Sequence, residues 1–263
     1  MNPLKKIFGI GVDLTRYTVT SKKIPASFCG FKIIHLSDFH CQPQKGILQP
    51  VFAEKPDIIV ITGDMSDDNK PYKTFLALLK SLTKCAPVYM VTGNHDVLRP
   101  DAPEFIKDCR RTGAVFLRDE GMSFSHADGF VTIYGIDDPC AKVTEICDKK
   151  IMESLSRLNR TGNYEILLFH RANKLELFKD ENFDLILSGH MHGGQVRLPV
   201  LGGIAAPKSC IPSGTKMLFP DYCGGRYALG KTDIIVNRGM GNPLPVPRLG
   251  NAPEVVSITL MNE

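Results

Sequence analysis

A chain of 263 residues, 43% hydrophobic and 23% charged, can bury one large core and is too ordinary in composition to be disordered or fibrous. A net charge of +4 is too small to point to nucleic acid, and no apolar run approaches the roughly 20 residues that span a bilayer. Cys29, Cys41, Cys85, Cys109, Cys140, Cys147, Cys210 and Cys223 are scattered without a CxxC pair, which points to reduced thiols in the cytosol rather than disulfides or cysteine-bound zinc.

In chain order, residues 1–30 read as a separate, basic amphipathic segment. Its opening, MNPLKKIFGIGVDLTR, lacks the continuous apolar stretch and cleavage site of a signal peptide. Leu4, Ile7, Phe8, Gly11 and Leu14 share one helical face, with Lys5, Lys6 and Arg16 elsewhere. Such a helix either docks on the protein's own core or lies on an anionic membrane surface, and the interrupting glycines favour the core. Residues 31–263 read as one domain. Short runs rich in β-branched residues predict strands over Phe31–Leu36, Asp57–Thr62, Pro87–Thr92, Phe130–Ile136, Tyr164–Phe169, Asp184–Ser188, Thr232–Val236 and Glu254–Leu260. Helical patterns fall at Tyr72–Lys84, where Phe75, Leu78, Leu79 and Leu82 form a stripe, and at Ala102–Arg111, Lys142–Asn159 and Asn173–Phe178. Alternation of strand and helix followed by strands predicts an α/β fold with two packed sheets flanked by helices. The Pro- and Gly-rich stretch from Leu198 to Gly225 reads as a long excursion within that domain.

Five of the strand runs end directly in residues of metal-ligand type. FKIIHLSDFH ends in Asp38 and His40, PDIIVITGD in Asp64, and PVYMVTGNHD in Asn94, His95 and Asp96; YEILLFH ends in His170 and FDLILSGHMH in His190 and His192. In open α/β sheets ligands bind beyond the carboxyl ends of strands, so residues far apart in sequence converge there. Gly63, Gly93 and Gly189 allow sharp exits just before the polar residues. One Asp or His at a strand end is ordinarily a solvated turn. Asp67 and Asp68 read as loop or helix-start carboxylates, His35 as a core histidine and His126 as part of a polar turn. Five loaded strand ends are a different matter. Mixed oxygen and imidazole donors suit Mn²⁺, Fe or Zn²⁺, with Mg²⁺ less favoured. There are ligands enough for two divalent ions, with a carboxylate such as Asp64 shared between them. Paired ions about 3.5–4 Å apart clamp an in-line phosphoryl displacement, and a water bridging them ionises near neutral pH to become the nucleophile.

The ordered set DFH, GD, GNHD, a strand-final histidine and GHMH, running from Asp38 to His192, resembles the signature of the calcineurin-like metallophosphoesterases. KIIHLSDFH, SGHMHGGQVRLP and the tail NRGMGN with RLGNAPEVVSITL are more similar still to the YaeI/YkuE-type phosphodiesterases of bacteria. The resemblance implies a four-layer αββα sandwich of two mixed sheets. It also implies one metal on Asp38, His40 and His192, the other on Asn94, His170 and His190, and Asp64 bridging. His95 then contacts the phosphate and protonates the leaving group, with Asp96 orienting it. Relatives often carry a proline two residues after the strand-final histidine. This chain reads HRAN instead, which makes Arg171 and Asn173 candidate substrate contacts.

Some members of the family resemble lipid-precursor hydrolases that cleave the pyrophosphate of UDP-2,3-diacylglucosamine to lipid X and UMP. The basic N-terminal segment and the apolar excursion fit such a lipid-nucleotide substrate, with the protein cytoplasmic and in peripheral contact with the inner face of the cytoplasmic membrane. The alternatives are a soluble nucleotide or other phosphodiester, and a non-catalytic metal-binding scaffold, although every motif position is filled. A nucleic-acid substrate is disfavoured by the lack of a basic stripe with interleaved aromatics, and no P-loop motif occurs.

Overall fold

The computed structural model describes residues 11–42, 46–139, 144–206, 216–242 and 247–263. Two six-stranded mixed sheets form the centre. The first has the order β1 (Asp13–Thr20), β14 (Glu254–Met261), β2 (Lys32–Leu36), β3 (Ile58–Ile61), β4 (Val88–Met90) and β5 (Val115–Phe116). All its pairings are parallel except β14 with β2. The second runs β12 (Gly225–Leu229), β13 (Thr232–Val236), β9 (Leu185–Gly189), β8 (Tyr164–Arg171), β7 (Gly129–Ile136) and β6 (Glu120–His126), parallel from β13 to β7 with an antiparallel strand at either edge.

Side-chain alternation explains why the central strands are apolar throughout. Ile33, Ile58 and Val60 of the first sheet meet Val131, Ile133, Ile166, Leu168 and Leu185 of the second in one inter-sheet core. Their neighbours Ile34, Ile59 and Ile61 face outward onto helices α1 (Leu48–Glu54), α2 (Lys73–Leu82) and α4 (Ala102–Arg110). On the far side Leu167, Phe169 and Ile186 pack under α5 (Thr144–Ser156) and the 3₁₀ segment Ala172–Phe178. Strands covered on both faces need hydrophobic residues at every position. The result is the four-layer αββα sandwich.

The N-terminal expectation needs correcting. Residues 1–10 lie outside the described residues, but Leu14 and Arg16 belong to strand β1, not to a helix. β1 pairs along its whole length with β14, and Ile24 and Phe28 are fully buried between the sheets. Residues 13–30 are therefore part of the sandwich.

Candidate metal centre

The carboxyl ends of β2, β3 and β4 in one sheet and of β8 and β9 in the other open onto the same space. The backbone turns sharply there: Asp38, His40, Asp64, His190 and His192 all have positive φ, between 48° and 73°. Few non-glycine residues adopt this conformation, and it persists where the surroundings enforce it, typically at functional positions. Close approach enforces two of the glycines. A methyl group on Gly93 would occupy the place of the Asp64 carboxylate, and one on Gly189 would collide with Ser37 and Asp38. A third glycine, Gly63, has φ +90°.

The side chains so delivered fall into two overlapping groups. Asp38, His40 and His192 present ligand atoms within 4.8 Å of one another, and so do Asp64, His170 and His190. His192 Nε2 stands 3.2 Å from His40 Nε2 and 3.5 Å from Asp38 Oδ1. His170 Nε2 lies 3.1 Å from Asp64 Oδ2, 3.1 Å from His190 Nδ1 and 3.3 Å from Asn94 Oδ1. Asp64 sits between the groups, also 3.9 Å from His40 Nε2. His170 Nδ1 donates to Thr62 O at 2.7 Å, which turns Nε2 toward the cluster.

These residues fit divalent metal. Asp38 and Asp64 are buried, and neither forms an ion pair with a lysine or arginine among the described residues. Buried carboxylates need compensating positive charge. Burial pushes Asp38 up to about 6, with Asp64 adding to the effect. For Asp64, burial is outweighed by His170, His95 and His40, which hold the carboxyl well below its usual range. Burial keeps His40, His190 and His192 in the neutral form that ligates metal. His170 is the exception, raised to about 10 against its burial by Asp64, so positive charge is already drawn to this point. His40 Nδ1 and His190 Nε2 are buried ring nitrogens with no hydrogen-bond partner.

Comparison with known proteins gives the architecture its family. The pattern of the calcineurin-like phosphoesterases matches residues 31–194. The chain belongs to this family. It is 32% identical over 260 residues to a metallophosphoesterase of Bacillus subtilis called YkuE, covering 95% of this chain and 85% of that one. It is 29% identical over 243 residues to the phosphodiesterase YaeI of Escherichia coli, covering 88% and 82%. The crystal structure of the protein TT1561 from Thermus thermophilus superposes with a TM-score of 0.50 at 13% identity, over 80% of this chain and 89% of that one, which shows the fold. As a calcineurin-like phosphoesterase the chain is a metal-dependent hydrolase of phosphoesters.

In this phosphoesterase His95 stands at the start of α3 (Asn94–Leu98), within ligand distance of His40 and Asp64. Its backbone N–H donates to Asp64 Oδ1 at 2.8 Å. Its ring Nδ1 lies 2.6 Å from Asp68 Oδ1. Burial opposes charge on this imidazole, but Asp64 and Asp68 outweigh it and raise its pKa. The orienting carboxylate is therefore Asp68 and not Asp96, as the motif had suggested. Asp96 is buried beneath the turn, where it accepts from Gly93 N at 3.0 Å, Ser66 N at 2.9 Å and Ser66 Oγ at 2.8 Å. It caps its own helix.

Arg171 is likewise not a substrate contact. Its guanidinium makes a buried bidentate pair with Asp138, at 2.6 and 2.9 Å, which occupies the fork that a phosphate would need. Asn173 lies half-buried on the 3₁₀ segment that follows. One residue at the centre was not singled out from the sequence. Arg248 is buried behind His192, with Nη2 3.2 Å from the ring Nδ1 and Nη1 donating to Arg238 O at 2.8 Å. The string RLGN that contains it was the available signal.

Proposed function

We propose that this phosphoesterase hydrolyses a phosphodiester or pyrophosphate bond with two divalent ions held in the cluster. Asp38, His40 and His192 would hold one, and Asn94, His170 and His190 the other, with Asp64 shared. The donor set favours Mn²⁺, with Fe or Zn²⁺ as alternatives. The observation that carries the reading is the pair of buried triplets meeting at Asp64, rich in negative charge and neutral imidazole. Ions bound there supply Lewis acidity and acidify a water. The chain's own residues do the rest. The His95 amide fixes one oxygen of Asp64, and the His95 ring, with a quarter of its side chain exposed, stands where it can protonate a leaving oxygen. Asp68 positions that ring.

For the substrate, the reading is an amphiphilic nucleotide pyrophosphate of the UDP-2,3-diacylglucosamine type, giving lipid X and UMP. Its support is the apolar surface that follows His192, where Leu198, Val200, Leu201 and Phe219 are exposed. The name phosphodiesterase carried by the Escherichia coli relative favours a simpler diester as the second reading. Both are tested by assaying metal-stripped protein with and without Mn²⁺ against bis-p-nitrophenyl phosphate and UDP-2,3-diacylglucosamine, alongside Asp64→Asn. Mn²⁺-dependent turnover of the lipid far above that of the chromogenic ester is the expected result. Turnover of the small diester alone would remove the lipid, and an Asp64→Asn variant with full metal and activity would remove the shared ligand.

A further inference from the structure

After His192 the chain makes a 3₁₀ turn, His192–Gly194, and then a hairpin of β10 (Arg197–Leu198) and β11 (Gly202–Gly203). The hairpin is seated tightly on that turn. A methyl group on Gly194 would lie 2.6 Å from the Cα of Gly203, and Ala205 N–H donates to Gly194 O at 3.2 Å. The connection at the tip is Pro199, Val200 and Leu201. Beside it, Phe219 N–H donates to Ile204 O at 2.8 Å and Ala205 bridges to Leu218, which sets Met217, Leu218 and Phe219 next to the hairpin.

Six of the thirteen large hydrophobic side chains exposed among the described residues fall here: Leu198, Val200, Leu201, Met217, Leu218 and Phe219. Such clustering marks an interaction surface, whereas apolar residues exposed singly do not. Val200 is completely exposed and has φ +71°, a conformation that β-branched residues avoid. Water rewards neither property, so the tip is shaped for contact with something else. Charge says what. Between Gln195 and Asp221 the sequence carries Arg197, Lys208 and Lys216 and no carboxylate. An apolar tip with cations and no acid in the surrounding sequence matches the boundary between acyl chains and anionic headgroups.

We propose that the β10–β11 tip, with Met217–Phe219 beside it, docks on an anionic lipid surface, inserting Val200 and Leu201. Because the hairpin is seated on the turn after His192, docking holds the metal centre beside the headgroups. The contact belongs to the surface and holds whichever ester is cleaved, so it is read by binding and not by turnover.

The test is cosedimentation of the full chain with vesicles of phosphatidylcholine, with and without phosphatidylglycerol. The wild type should bind the anionic vesicles. Val200→Glu with Leu201→Glu should weaken partitioning about tenfold or more, while Phe130→Glu, an exposed apolar site on β7, should not. The chain has no tryptophan, so Val200→Trp introduces the sole indole. Its emission should shift to the blue on anionic vesicles and be quenched by brominated acyl chains. No vesicle binding by the wild type, or binding untouched by the double substitution, as residues 1–10 alone would produce, overturns the proposal. So does an indole that shifts only with protein concentration, which would assign the tip to a second copy of this chain.

Discussion

A 2.6 Å contact between His95 Nδ1 and Asp68 Oδ1 separates two carboxylates that the motif GNHD cannot tell apart. Asp96 is one residue from His95 in sequence, yet its oxygens are taken by the Gly93 and Ser66 amides and the Ser66 hydroxyl. Asp68→Asn should therefore lower kcat roughly ten- to a hundredfold at unchanged metal content, since the positioning of one proton donor is lost. Asp96→Asn should instead lower the melting temperature. Steady-state kinetics, metal analysis and thermal denaturation on both variants separate the roles, and the reverse pattern would restore Asp96 as the positioning residue. Arg171 makes the same point. Removing its guanidinium in Arg171→Met leaves the Asp138 carboxylate buried and uncompensated, at a cost of about 3–5 kcal/mol in urea unfolding. KM for bis-p-nitrophenyl phosphate measured on the folded fraction should stay the same. The candidate ligands were legible because each follows a strand directly. The partners Asp68 and Asp138 were not, because they reach their targets across 27 and 33 residues of chain through tertiary structure alone.

Among the elements, legibility follows burial. β2, β3, β8 and β9 are covered on both faces and read as unbroken apolar runs. β6 lies at a sheet edge with Glu120, Ser123, Ser125 and His126 along it, and β12 carries Arg226 and Tyr227 at the other edge. Neither has a run to read. β1, also at an edge, alternates Leu14, Arg16 and Thr18 with Tyr17 and Val19, a pattern that passed for part of a helix. Strand β8 also carries a polar exception, Glu165. It accepts from Arg160 Nε at 3.0 Å, Tyr134 Oη at 2.9 Å and the amides of Thr161 and Gly162 at 2.9 and 3.1 Å. Burial raises this carboxyl, but Arg160, Tyr134 and the Gly162 amide outweigh it and hold it at about 2 against an ordinary 4.5. A carboxylate lowered on folding stabilises the fold above its unfolded pKa and loses that contribution as pH falls through the folded value. Acid unfolding of the wild type should therefore include a step of about 2–3 kcal/mol between pH 4.5 and about 2. Glu165→Gln should lack that step and be less stable at pH 7, and urea titrations at several pH values would show an unchanged slope if Glu165 contributes nothing.

At the scale of the whole molecule, each proposed ion draws on both sheets. Asp38 and His40 follow β2 in the first sheet, while His192 follows β9 in the second; Asn94 follows β4, while His170 lies on β8 and His190 follows β9. The sheets otherwise meet through apolar side chains, with the polar cluster at one end of the sandwich. Without metal that end holds buried carboxylates and imidazoles in left-handed backbone, an arrangement that water and the rest of the core do not favour. Bound ions should therefore act as fasteners between the sheets as well as serving catalysis. A ligand that binds only the folded state adds about 2.7 kcal/mol when its free concentration is a hundred times Kd. Scanning calorimetry of metal-stripped protein should show the melting temperature rising with added Mn²⁺ and falling again with a chelator. Asp64→Asn, which weakens the ligand shared by both groups, should flatten that response, and His126→Ala, on the exposed edge strand β6, should leave it intact. A melting temperature indifferent to Mn²⁺ while the ion is bound would mean that the sheets are already locked without it, and that strain at the five left-handed residues is held by the surrounding packing alone.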